Sequence, residues 1–268
     1  MSSKFQIYKG RLAQFRSWDN NPEGWEDRWA GVNLEKMLAE QRTAPLGEYE
    51  ILTRYLPKDL LVLEAGCGMG QMVMALMFRG YSVEGIDYSD VTIRRVQQVA
   101  PDLNVRVGDI YHLEVPNETY GGYISLGVLE HNPDGPLLGL QEARRVLHSR
   151  GFAFFSIPYL NPGRKKRFDR GGPSEDTTTS TDLQFYQYYF SDEEFRSFLY
   201  TAKFQVVEKF PLGVYWGLTL DYPVFKYLSD HKFFHWKIHR AVQSLCARAP
   251  LAARNRWAHM VMYVCTPV

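Results

Sequence analysis

The sequence predicts an α/β fold, a mostly parallel sheet with helices on both faces that ends in an antiparallel pair of strands near the C-terminus. Three observations predict it. Between Leu60 and Pro158, short apolar runs alternate with amphipathic stretches about ten residues long, the rhythm of successive βαβ units. The first apolar run empties into Gly66-Cys67-Gly68-Met69-Gly70, three glycines spaced by two at a strand-to-helix junction. The next two runs end in the acids Asp87 and Asp109, so polar chemistry collects at one edge of the sheet.

The elements follow in order. Residues 1–56 hold Trp18, Trp25 and Trp29 and end in an expected helix over 47–55; the segment is read as an N-terminal helical cap on a domain spanning 57–268. Strands are expected at 60–65, 81–87, 104–109, 122–128 and 151–158. Helices fit between them at about 70–79, 90–99 and 136–148, with Gly80 and Gly151 where helix C-caps are expected. Residues 159–190 are rich in Gly, Pro, Thr and charge without a period and read as a long loop, with room for a short strand at its aromatic end. Ser191 opens a helix, with Glu194 three residues on completing a capping box. Strands at 204–210 and 260–265 form the C-terminal pair. They are separated by an insertion, 212–256, whose apolar positions near Phe225, Leu228, Phe234, Ile238, Val242 and Leu245 have helical spacing.

Composition narrows the function. The 268 residues carry 31 Lys+Arg against 30 Asp+Glu, so no global field draws in nucleic acid and any anion site must be local. Cys67, Cys246 and Cys265 lie far apart with no ligand spacing, which argues against a disulfide framework or structural zinc. No apolar leader opens the chain and no window is long enough to span a bilayer, so a cytoplasmic protein is expected.

The glycine loop differs from two common phosphate binders. A dinucleotide fingerprint wants Gly or Ala where Gln71 stands, and no Gly-Lys-Ser/Thr follows for a triphosphate. Glu64 instead places an acid just before the glycines. Asp87, seventeen residues beyond Gly70, is placed to accept from ribose hydroxyls, or merely to begin the next helix that Ser89 can cap. Asp109 is flanked by Ile110, an apolar surface for a flat ring. After the fourth strand comes Leu126-Gly-Val-Leu-Glu130-His131. A histidine has the right ordinary pKa to take a proton at neutral pH, although Glu130 and His131 could equally order their own loop. No third ligand accompanies the pair, so no metal ligands are assigned and a metal requirement stays open.

Glu-Ala-Gly-Cys-Gly-Met-Gly, Gly-Ile-Asp-Tyr-Ser, Gly-Asp-Ile and Ile-Ser-Leu-Gly-Val-Leu-Glu-His, in that order across about 60–158, resemble the motifs of the class I S-adenosylmethionine-dependent methyltransferases. The resemblance implies a Rossmann-like seven-stranded sheet and S-adenosyl-L-methionine as cofactor, with S-adenosyl-L-homocysteine as product. It implies that Glu64 and the loop of Gly66, Cys67, Gly68 and Gly70 hold the methionine portion and Asp87 the ribose. Tyr88 would pack on adenine, Asp109 and Ile110 would meet its amino group and ring, and Leu126 would offer backbone near the sulfonium.

The acceptor is expected to be a small or lipid-like molecule methylated at oxygen. The Asp/Asn-Pro-Pro-Tyr of base N-methylating enzymes and the Pro-Cys of cytosine C5 enzymes are both missing at the fourth strand, which lowers the weight of nucleic acid. The alternatives are an RNA or protein methyltransferase, or a cofactor-binding protein without turnover. Arg164, Lys165, Lys166, Arg167 and Arg170 put five cations within seven residues, either an anion site or a solvated loop. The insertion mixes aromatics with Lys237, Arg240, Arg248, Arg254 and Arg256, and reads as a lid packed on the core or a surface for peripheral membrane contact.

Overall fold

In a computed structural model, the protein is described over residues 3–17, 24, 25, 29, 31–170, 183–222, 224, 225, 227, 242, 244–246 and 248–268. It opens with β1 (Ser3–Tyr8) and β2 (Arg11–Arg16), then α1 (Leu34–Gln41) and α2 (Leu52–Tyr55). The alternating region gives β3 (Val62–Ala65), α3 (Gln71–Met77), β4 (Val83–Asp87), α4 (Asp90–Val99), β5 (Val105–Val107), β6 (Tyr120–Leu126), α5 (Leu137–Val146) and β7 (Leu147–Pro158). There follow α6 (Pro162–Asp169), β8 (Gln184–Tyr188), α7 (Asp192–Thr201), β9 (Phe204–Leu212), α8 (Val214–Asp221), α9 (Leu251–Trp257) and β10 (Met260–Pro267).

Seven strands make the main sheet in the order β5-β4-β3-β6-β7-β10-β9. The first five are parallel; β10 runs antiparallel between β7 and β9, the closing pair the sequence predicts. β3 is buried along its whole length, as a strand covered on both faces must be. Each such buried Leu or Val contributes roughly 1.5–3 kcal/mol relative to exposure. Two apolar layers flank the sheet, one around Leu63, Tyr123, Phe155 and Tyr263, the other around Val62, Ile124, Phe154 and Met262. The sheet order reverses beside β3, so its C-terminal end faces the crevice where open α/β sheets bind ligands.

Local signals act as read in several places. Ser89 caps α4 by accepting from Thr92 N at 3.1 Å, and Gly80 takes φ +75° just past α3. Ser191 caps α7, but only half of the capping box forms: Glu194 Oε1 accepts from Arg11 Nε at 2.6 Å and is thereby turned toward β2.

Three expectations are corrected. The N-terminal cap is not wholly helical: β1 and β2 form a hairpin whose Lys9 and Gly10 both take positive φ, 48° and 76°, as two-residue hairpin turns require. That hairpin pairs with β8 in a second, three-stranded sheet. The loop over 159–190 contains α6, because Asn161 accepts from Arg164 N at 2.7 Å as N-cap and Pro162 suits a first helical turn; β8 is its aromatic strand, and 171–182 lie outside the described residues. Gly151 is no helix cap. The helix stops at Val146, and Gly151 lies inside β7, where a Cβ would sit 2.8 Å from the Gly121 carbonyl oxygen. In the insertion, α8 and α9 are helical as expected, while Leu228, Phe234, Ile238, Lys237 and Arg240 lie outside the described residues.

Candidate active site

A cavity of about 820 Å³ opens at the C-terminal ends of the parallel strands. It brings together Glu64, Gly66, Cys67, Gly68, Asp87, Tyr88, Asp109, Ile110, Leu126 and His131. Of the cofactor-binding and catalytic residues singled out from the sequence, Gly70 and Glu130 do not line it.

The glycine loop is built by backbone needs. Gly66, Gly68 and Gly70 take φ of 80°, 48° and 73°, values that side chains oppose. A Cβ on Gly66 would approach Val128 Cγ2 to 2.5 Å, so the loop lies directly against the exit of β6. Gly70 instead starts α3, and a Cβ there would meet Leu103 at 2.8 Å, which explains why it packs behind the cavity wall. The loop is tied to the neighbouring strand by Gly66 N and Cys67 N, each donating to the Ile86 carbonyl at 2.8 Å. Burial pushes the Cys67 thiol pKa well up, which keeps it an unreactive wall residue.

Two carboxylates brace this loop. Asp87 Oδ2 accepts from Gly68 N at 2.8 Å, and Oδ1 from Ser89 N at 3.0 Å, so one side chain spans the glycine loop and the start of α4. Ser89 does the capping of α4, while Asp87 accepts at its start and holds the glycine loop. Burial raises the Asp87 pKa, against the lowering effect of those backbone donors. Glu64 Oε2 accepts from Val73 N at 3.0 Å, at the first turn of α3. Only 6% exposed and with Asp87 nearby, its carboxyl is pushed up to about 8, burial being the larger cause. A pair of desolvated acids at a glycine bend suits a ligand with a cationic group and hydroxyl donors. Farther along, Asp109 Oδ1 accepts from Tyr111 N at 2.8 Å and fixes the turn that presents Ile110.

Beyond β6 the structure separates the Glu130–His131 pair. His131 lies on the cavity wall; Glu130 lies behind it, 2% exposed, its Oε2 without a hydrogen-bond partner and its carboxyl pushed up to about 8 by burial. Glu130 Oε1 is 3.9 Å from His131 Nε2, too far for a hydrogen bond. His131 Nδ1 lies 2.7 Å from the Tyr186 carbonyl oxygen. A carbonyl only accepts, so Nδ1 carries the proton and, in neutral imidazole, Nε2 carries the basic lone pair. Trp25 meets the His131 ring edge-on at 5.2 Å and Tyr186 meets it at 4.8 Å.

Sequence reading did not assign Gln41, Pro45, Leu46, Tyr49, Tyr111 and Asn132 to the cavity, or Tyr186 to the support of His131. The first four lie around the turn after α1, where no periodic signal marks a wall. The basic run is also recast. Arg164, 3% exposed, donates through Nε to Asp221 Oδ1 at 3.0 Å and through Nη1 to the Tyr159 carbonyl at 2.6 Å; Arg167 also pairs with Asp221. Two of the five cations are thus engaged by one carboxylate.

Comparison with known proteins agrees with this geometry. Residues 63–155, about a third of the chain, match the family model described as a methyltransferase domain. Over 106 residues the chain is 31% identical to a protein of Mycolicibacterium smegmatis named "Probable S-adenosylmethionine-dependent methyltransferase", covering 38% of this chain and 41% of that one. It is 30% identical over 106 residues to a ubiquinone biosynthesis O-methyltransferase of Nitrosomonas europaea, covering 38% and 45%. The chain thus spans less than half the length of these curated relatives. The fold is shared with a crystal structure of geranyl diphosphate C-methyltransferase from Streptomyces coelicolor, solved with Mg2+, geranyl diphosphate and S-adenosyl-L-homocysteine, at TM-score 0.53, 17% identity, 87% of this chain and 83% of that one. The comparisons thus show a segment, residues 63–155, that matches a methyltransferase domain, set in a sheet whose fold is shared with a methyltransferase solved with S-adenosyl-L-homocysteine.

Proposed function

We propose that the protein transfers a methyl group from S-adenosyl-L-methionine to an oxygen of a small or lipid-like acceptor, with His131 as the base. The residues at the cavity fit this cofactor on their own chemistry. Glu64, and the loop of Gly66, Cys67 and Gly68, would hold the methionine portion, with Gly70 shaping the bend from behind. The second lone pairs of Asp87 would accept from ribose hydroxyls, while Tyr88, Asp109 and Ile110 would hold adenine and Leu126 its backbone contacts. When bound there, the cofactor supplies an electrophilic methyl group and leaves as S-adenosyl-L-homocysteine.

The observation that carries the reading is the Nδ1 contact of His131. With that nitrogen donating to Tyr186, Nε2 is the one that can take the acceptor's hydroxyl proton as the oxygen attacks the methyl carbon, and the imidazolium then loses it to water. Such in-line transfer gains most from alignment, so walls made of Trp25, Trp29, Tyr111 and Asn132 have the task of placing the acceptor and excluding water. Glu130 lies behind the wall and stays neutral near pH 7, so its part is to pack beside His131 without bonding to the acceptor.

An oxygen acceptor of apolar character is in keeping with the name of the Nitrosomonas relative and with the aromatic wall. A polyanionic acceptor is less well supported, since Asp221 engages Arg164 and Arg167. The test is transfer of a labelled methyl group from the cofactor to a panel of phenolic and quinol acceptors. Turnover that fails in His131→Ala but keeps cofactor affinity supports the reading; tight cofactor binding with no transfer to any class would leave a binding protein instead.

A further inference from the structure

Three helices far from β4 form a layer of their own. A Cβ on Gly217 of α8 would meet the Trp257 carbonyl oxygen at 1.8 Å, and one on Gly163 of α6 would meet that of Arg256 at 2.9 Å, so α9 lies hard against both. Asp221, at the end of α8, ties the layer by its ion pairs with Arg164 and Arg167 of α6. The layer is joined to the cavity's rim, because Gly213 N, just before α8, donates to Glu48 Oε2 at 2.9 Å next to Tyr49.

Its outer surface is unusual for a protein in water. α8 buries Val214, Tyr215 and Gly217 on one side, yet its other side is also apolar: Trp216 and Leu220, one turn apart, are 55% and 62% exposed. A helix apolar on every face needs a second apolar medium. Leu251, the first residue of α9, and Leu245 before it are exposed as well. On α6, on α9 and on the segment before α9, Lys165, Lys166, Arg170, Arg248 and Arg256 are exposed, against Asp169 as the exposed acid of α6 and α9, in a chain whose net charge is only +1.

We propose that this face docks on the surface of a membrane carrying anionic headgroups. Trp216 and Leu220 enter the boundary between headgroups and acyl chains while the flanking lysines and arginines lie over phosphate. The charge selects an anionic partner, and the exposed leucines and tryptophan exclude nucleic acid, which offers nothing to cover them. Among the described residues no helix is long and apolar enough to cross a membrane, so the contact is peripheral. The inference stands apart from the identity of the methyl acceptor, because docking is measured without turnover.

The experiment is sedimentation of the whole chain with large vesicles of phosphatidylglycerol and phosphatidylcholine, against phosphatidylcholine alone. Expected is binding to the anionic vesicles that weakens with salt. Leu220→Asp should lower it at least tenfold, and Lys165→Glu with Lys166→Glu by on the order of twentyfold or more, from roughly fivefold per lysine. All variants should keep the thermal shift given by S-adenosyl-L-homocysteine; if Leu220→Asp fails to fold, the exposed lysine pair decides alone. Wild-type protein left in the supernatant with anionic vesicles would overturn the proposal. So would unchanged sedimentation of the lysine variant, or a concentration-dependent dimer by light scattering that Leu220→Asp breaks, which would make a second copy the occupant.

Discussion

The Tyr186 carbonyl accepts from His131 Nδ1 at 2.7 Å because a bulge in the second sheet releases it. Gln14 of β2 faces Gln187 of β8 and Phe15 faces Phe185, so Tyr186 has no opposite residue on β2. A bulge of this kind frees a backbone group from the ladder and bends the strand, here toward the turn that carries His131. The Arg16 guanidinium, 3.7 Å from the centre of the Tyr186 ring, holds the bulge from the other strand. The N-terminal hairpin thus sets which nitrogen of a histidine on the main domain is basic.

His131→Ala should lower kcat by about 10²- to 10⁴-fold, the usual worth of a positioned base. S-adenosyl-L-homocysteine affinity should change less than twofold, and Glu130→Gln should cost far less turnover, because Glu130 does not reach the cavity. Steady-state kinetics with calorimetry on both variants checks this.

Gly66→Ala should both destabilise the protein and weaken cofactor binding. The residue would be held at φ 80° with its methyl 2.5 Å from Val128 Cγ2, and overpacking of this sort costs about 1–3 kcal/mol. Urea unfolding and calorimetry read the two effects; Gly68→Ala, with no protein atom within 4 Å of its Cβ, should cost the fold only the backbone strain while still weakening cofactor binding, because Gly68 lines the cavity.

Glu64 makes stability depend on pH. Its carboxyl ordinarily titrates near 4.5 and in the folded chain near 8, so between these values the folded state holds a proton that the unfolded state has lost. The contribution is complete below about 4.5 and disappears as pH rises through 8. Glu64→Gln should therefore flatten this fall, by an amount on the order of a few kcal/mol across the window. Denaturation midpoints at pH 5 and pH 8.5, roughly the two ends of that window, test the sign; a steeper fall in the variant would refute it.

Asp221→Ala should destabilise the chain by about 3–5 kcal/mol, because it leaves the buried Arg164 guanidinium without its carboxylate. Replacing both, as in Arg164→Met with Asp221→Leu, should restore most of the loss. Chemical denaturation of the single and double variants measures it.

The main domain was legible because its rules are local. Buried parallel strands read as apolar runs, Ser89 and Ser191 read as caps, and a bend needing three positive φ values in five residues shows as glycines. The hairpin was not, since both faces of its sheet are buried: Gln6 and Gln14 lie inside beside Ala13 and Phe15, and the expected polar alternation is blurred. Lys9-Gly10 was the available sign of its turn. Arg164 looked like a mobile cation because its partner, Asp221, is 57 residues away. The bulge at Tyr186 leaves no mark in composition, for it follows from the register of two strands about 170 residues apart.

The central claim is that Asp87 and the glycine loop it braces form an S-adenosyl pocket, and calorimetric titration with S-adenosyl-L-homocysteine tests it most directly. The account predicts one-site binding to the wild type and, in Asp87→Asn, a loss of roughly 1–3 kcal/mol, about five- to 150-fold in Kd. No heat with the wild type, or equal affinity in the two proteins, would contradict it.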